Sequence, residues 1–122
     1  MNILIELTVL LQGLGLRVET GTFSEPPPET YTVITPLADT FELHADNHPT
    51  LDVQEARISL FCKSSYTSHK NAITRAALAA GFIVTSRQFI EKESDTNFYH
   101  YSVDVTKHYV WEDVIYGDNR VG

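Results

Sequence analysis

The sequence predicts an α+β sandwich, with two helices packed on one face of a mainly antiparallel sheet. Two helical stripes, near residues 3–12 and 71–80, are interspersed with segments of strand character. Those segments follow one another through polar turns, in the order helix, two or three strands, helix, two strands, as hairpin-connected strands do. No internal repeat and no glycine- or serine-rich linker divides the 122 residues. One domain of ordinary size therefore spans residues 1–111, and residues 112–122 are expected as a loosely ordered tail carrying an apolar patch at Val114, Ile115 and Tyr116.

Residues 3–12 form the first predicted helix. Asn2 is placed to cap it, because its side chain can accept from backbone N–H groups that have no helical partner. Ile3, Leu7, Leu10 and Leu14 recur at helical spacing, with Leu4 and Leu11 beside them, and Gly13 and Gly15 offer a left-handed stop. So wide a stripe belongs on a sheet rather than in water.

Residues 16–20 read as a short strand. Pro26, Pro27 and Pro28 favour polyproline II geometry and exclude a central strand there. Tyr31–Thr35 has strong β character, and Pro36 is expected to end it. Residues 37–50 stay ambiguous: Thr40–His44 fits a short edge strand, while Asp46, Asn47, His48 and Pro49 are turn chemistry.

Val53–Lys63 alternates. Ala56, Ile58, Leu60 and Cys62 face one way, Glu55, Arg57, Ser59 and Lys63 the other, with Phe61 the exception. Ser64–Ser68 offers several caps for an alanine-rich helix over Asn71–Ala80, which Gly81 closes. Phe82–Ile90 is a strand and Glu91–Asn97 a polar turn. Phe98–Trp111 is the clearest strand. It sets Tyr99, Tyr101, Val103, Val105, Tyr109 and Trp111 on one face, and His100, Ser102, Asp104, Thr106 and His108 on the other.

Composition excludes several classes. No apolar run reaches the roughly 18–20 residues needed to span a bilayer. Glu6 interrupts the N-terminal apolar stretch and no basic segment precedes it, so it does not read as a signal peptide. A single cysteine, Cys62, rules out an internal disulfide and fits a reducing compartment. A net charge of -7 argues against nonspecific grip on DNA or anionic membranes.

No constellation of residues points to catalysis, a metal or a cofactor. His44 and His48 lie four apart, but Ala45 stands where a metalloprotease helix carries glutamate and Pro49 breaks the helix. His100, Asp104 and His108 share a strand face, yet residues four apart on a strand are about 13 Å apart, too far to share a zinc ion. Cys62 faces inward as a small hydrophobe. Gly13-Leu14-Gly15 follows a helix rather than a strand and has no lysine placed for phosphate. Ser24, Ser59 and Ser68 sit in no nucleophile elbow. Tyr99, Tyr101, Tyr109 and Trp111 read as a core stripe. Phe41 and Phe61 instead sit on polar segments, where an aromatic marks an interface.

Several segments resemble the tail terminator and head–tail completion proteins of long-tailed phages and prophages. They are Val18–Ser24, Tyr31–Leu37, Thr40–Asn47, Gln54–Phe61 and Tyr99–Val105, within a resemblance covering roughly residues 1–111. The family implies a tail-terminator-like fold, no enzymatic activity and no cofactor. It implies a virion location after assembly in the host cytoplasm. The partners it implies are further copies of the chain in a ring, usually a hexamer, the tail tube protein and the head connector protein. DNA would pass the lumen without specific binding, and no membrane is involved. Six copies carry about 6 × -7 = -42 charges, part of which would face the lumen and repel the genome.

A ring needs two different patches that meet. Exposure of aromatics on polar segments points to Phe41, Glu42 and Leu43 on one side, and Glu55, Arg57 and Phe61 on the other. Another neck adaptor is the nearest rival class, and a ferredoxin-like ligand-binding or regulatory dimer the next. Binding to portal rather than tube would mark the first, and a closed pocket the second.

Overall fold

The computed structural model describes residues 2–19, 27–43 and 49–111. Its elements are α1 (Ile3–Gly13), β1 (Arg17–Glu19), β2 (Thr30–Leu43), β3 (Pro49–Cys62), α2 (Thr67–Ala79), β4 (Ile83–Lys92) and β5 (Tyr99–Val110). The five strands form one sheet in the order β1-β2-β3-β5-β4. Only β1 and β2 run parallel; the other neighbours are antiparallel. The α+β class read from the sequence is the class observed.

Both helices cover the same sheet face. Ile3, Leu7 and Leu11 of α1, and Ile73 and Ala77 of α2, pack into one core. They meet Ile34, Ala56, Ile58, Leu60, Val103 and Val105 from three adjacent strands. Register explains the match: Ile34 lies opposite Ile58, and Ile58 opposite Val103, so strand alternation sends all three inward together. Cys62 is fully buried on this face, and burial pushes its thiol pKa up.

The start of α1 is secured twice. Asn2 Oδ1 accepts from Ile5 N at 2.9 Å, as its capping position predicts. Gln54 Oε1, buried on β3, accepts from Ile3 N at 2.8 Å, and its Nε2 donates to Asp52 Oδ2 at 2.7 Å.

Three boundaries differ from expectation. β2 does not stop at Pro36; a register shift between Pro36 and Ala38 carries it on to Leu43. Among the described residues β1 pairs with β2 only as far as Val33, and where β3 is the one described neighbour of β2 a missing N–H costs little. α2 begins at Thr67, inside the stretch expected to cap it, and Tyr66 at its N-cap makes no side-chain bond. β3 starts at Pro49, four residues early, because its pairing with β2 runs on to Leu43–Pro49. The expected residue 112–122 tail, the turn residues Asp46, Asn47 and His48, and most of the Gly21–Glu29 loop lie outside the described residues.

Candidate functional site

The sheet face away from the helices carries a row of rings. Tyr31, Phe61 and His100 come from β2, β3 and β5, which the register makes neighbours. Their centroids are 4.8 Å apart for Tyr31–Phe61 and 4.3 Å for Phe61–His100, both stacked, and Phe98 meets Tyr31 edge-on at 5.3 Å. Burial lowers the His100 pKa, against the opposing pull of Glu93 and Glu91, so the ring is neutral at neutral pH. Beyond the Ser59–Ser102 pair on the same face, Arg57 donates through Nε and Nη2 to Asp104 at 2.8 and 3.0 Å. That paired carboxylate holds the Arg57 pKa above its usual range.

Phe61 and Arg57 are therefore engaged within the fold. Glu55 is half-buried on the same face, opposite Ala38 and Thr106. His100, Asp104 and His108 share the face as expected but take separate partners, with His108 Nε2 2.9 Å from Glu42 Oε1. Among the described residues no group of three His, Cys, Asp or Glu side chains is placed to hold a metal ion.

The far ends of β2 and β3 form an arm beyond α1. Every described residue from Thr35 to Glu42 is exposed. Phe41 is 51% exposed even though its ring meets Trp111 edge-on at 4.6 Å. Leu37 and Val110 stand exposed nearby along the same end of the sheet. Leu43 lies at the end of β2, paired with Pro49. The six candidate interface residues thus fall on one hairpin, with Phe41 and Glu42 at its outer end and Glu55, Arg57 and Phe61 along its length.

At the opposite sheet edge, α2 and β4 make a second surface. Arg87 Nη1 on β4 donates to Thr74 Oγ1 on α2 at 3.5 Å, and Tyr66 stacks on Phe89 at 5.7 Å, so the two elements present one face. Arg75, Leu78, Arg87 and Phe89 are exposed on it. Between α1 and α2 runs an apolar groove of about 580 Å³, lined by Ile5, Val9, Leu10, Ala76, Ala79 and Phe82. No helix among the described residues is long and apolar enough to cross a membrane.

The sequence carries a signal for this second surface that periodicity does not use. Between Arg17 and Arg57 there are eight acidic residues and no lysine or arginine, a charge of -8. Residues 58–92 hold five lysines and arginines against Glu91 alone, a charge of 5 - 1 = +4. The acidic stretch supplies the arm, and the basic stretch supplies α2 and β4.

The fold and surfaces together define a small α+β domain whose described residues include an acidic hairpin end and a basic helix–strand surface. No family model matches the chain, and no curated protein matches it. Among solved structures, a chain from the virion of a native gene transfer agent (GTA) particle is similar in fold, with a TM-score of 0.47, 15% sequence identity and 84% of each chain covered.

Proposed function

We propose that this chain is a structural subunit of a phage-type virion. Specifically, it is a tail terminator or tail completion protein whose copies cap the tail tube as a ring and join tail to head. The observation that carries the reading is where the phage-like segments fall. Val18–Ser24, Tyr31–Leu37, Thr40–Asn47, Gln54–Phe61 and Tyr99–Val105 are scattered in sequence, yet their described parts lie on β1, β2, β3 and β5, four consecutive strands of the sheet. The segments that carry the resemblance thus lie side by side in the sheet, which supports the reading. A non-catalytic role fits a domain whose titratable side chains on the open face are spent on pairing and stacking. Its place would be the virion, after assembly in the host cytoplasm.

Mixing the purified chain with tail tubes tests this reading. Capped tubes of fixed length, with a ring at one end in negative-stain images, are the expected result. Binding to portal rather than tube assigns it to the neck adaptors instead. A compact dimer that ignores both would make it a ligand-binding or regulatory module.

A further inference from the structure

We infer that the acidic β2–β3 arm of one copy docks on the basic α2–β4 face of a second copy, so that the chain associates head to tail. This takes from the ring reading only that copies meet one another.

The two faces are complementary in both charge and apolar content. The arm carries Asp39 and the exposed Phe41 on its helix side and Glu42, which also meets His108, on its other side, with exposed Leu37 at the register shift between Pro36 and Ala38. The α2–β4 face presents Arg75 and Arg87 beside exposed Leu78 and Phe89. Each therefore offers apolar surface that water covers poorly, within a rim of one charge sign. The faces stand on opposite sides of the sheet, with β3 and β5 between β2 and β4. At a strand spacing of about 4.8 Å that is roughly 14 Å of sheet, so one copy cannot satisfy its own pair.

Charge also selects the pairing mode. Two arms meeting would oppose acid with acid, and two α2–β4 faces would oppose their arginines. Only arm against α2–β4 face brings opposite signs together, and that contact is heterologous. A heterologous contact leaves a free arm at one end and a free basic face at the other, so it propagates until the rotation closes. The overall charge of -7 slows encounter between copies, and the local +4 stretch steers it to one orientation.

The test uses two charge-reversed full-length chains, Asp39→Lys/Glu42→Lys and Arg75→Glu/Arg87→Glu. Self-association is followed by light scattering at low salt, with circular dichroism to confirm folding. Wild type is expected to associate, and each variant alone to lose association by about tenfold or more. Mixing the two variants is expected to restore it, because the intact basic face of one meets the intact arm of the other. Salt near 1 M, where the screening length is about 3 Å, should weaken the wild-type assembly. Variants that associate as wild type does, a mixture that stays monomeric, or wild type that stays monomeric at its highest soluble concentration would each overturn the inference. Rings that both variants still form would sink this interface and leave the ring reading standing. Rescue on mixing without capping of tail tubes would do the reverse.

Discussion

Lys107 reaches from β5 to Glu6 Oε2 on α1 at 2.7 Å and to the carbonyl of Ala80, just past α2, at 3.0 Å. Its ammonium also sits 4.6 Å from the centre of the Phe82 ring. One side chain so holds both helices to the sheet, in a site where the pair is about four-fifths shielded. Lys107→Met keeps the packing and removes the charge. It is expected to cost about 1–2 kcal/mol in urea unfolding, because Glu6 then stays partly buried without its cation. Tyr109 lies in the same cluster. Burial, with Glu6 and Asp52 near, pushes its phenol far above the usual range, and its hydroxyl is buried without a good partner. Tyr109→Phe should leave stability unchanged or raise it by up to about 1 kcal/mol, and a clear loss would show that the hydroxyl bonds Glu6. His100 supplies the pH dependence. Its pKa is lowered in the fold, so as pH falls through about 6.5 the unfolded chain takes up the proton first and stability declines. The decline levels off once pH is below the folded value. His100→Phe should flatten the difference between unfolding curves at pH 7.5 and pH 5, with Glu91, Glu93 and Arg57 unchanged around it.

At the scale of elements, α1 depends on a side chain from another strand. Gln54→Ala leaves both Ile3 N–H and the Asp52 carboxylate short of a partner in a buried place, and is expected to cost about 2–3 kcal/mol. Asn2→Ala, at an exposed cap, should cost about 1 kcal/mol, and the contrast is read from paired urea curves. The Asn2 cap was legible in the sequence because capping is local. The Gln54 bond was not, because it joins residues 51 apart. The same division runs through the strands. Alternation at Val53–Lys63 and Phe98–Trp111 is a period of two and placed Tyr101, Val103, Val105 and Tyr109 in the core, whereas Trp111, past the end of β5, meets the exposed Phe41 instead. The run of β2 through Pro36 rests on its pairing with β3, which resumes at Ala38 after a register shift, a fact of pairing that no local pattern records. The early start of α2 at Thr67 has the same origin, since Tyr66 is held by stacking on Tyr101 and Phe89 rather than by a cap bond.

Across the whole molecule, Phe41 and Phe61 looked alike in the sequence, as aromatics on polar segments, and the fold separates them. Phe61 is enclosed between Tyr31 and His100, while Phe41 stands half exposed at the arm's outer end. The α2–β4 face escaped periodicity because its apolar residues come from a helix and a strand brought together only by folding; charge segregation along the chain marks it instead. The distinction gives a prediction that separates folding from assembly. Phe41→Ala removes only the buried half of one ring and its edge contact with Trp111, so urea unfolding should change by no more than about 1.5 kcal/mol. An aromatic that anchors a contact between copies commonly contributes about 2 kcal/mol or more when desolvated there. Association measured by light scattering should therefore weaken by about tenfold or more while the fold stays intact. Phe61→Ala should behave in the opposite way, losing stability through the broken stack in the isolated copy. If Phe41→Ala instead lowered stability as much as Phe61→Ala and left association untouched, the arm would be part of the fold's own packing and the contact between copies would have to lie elsewhere.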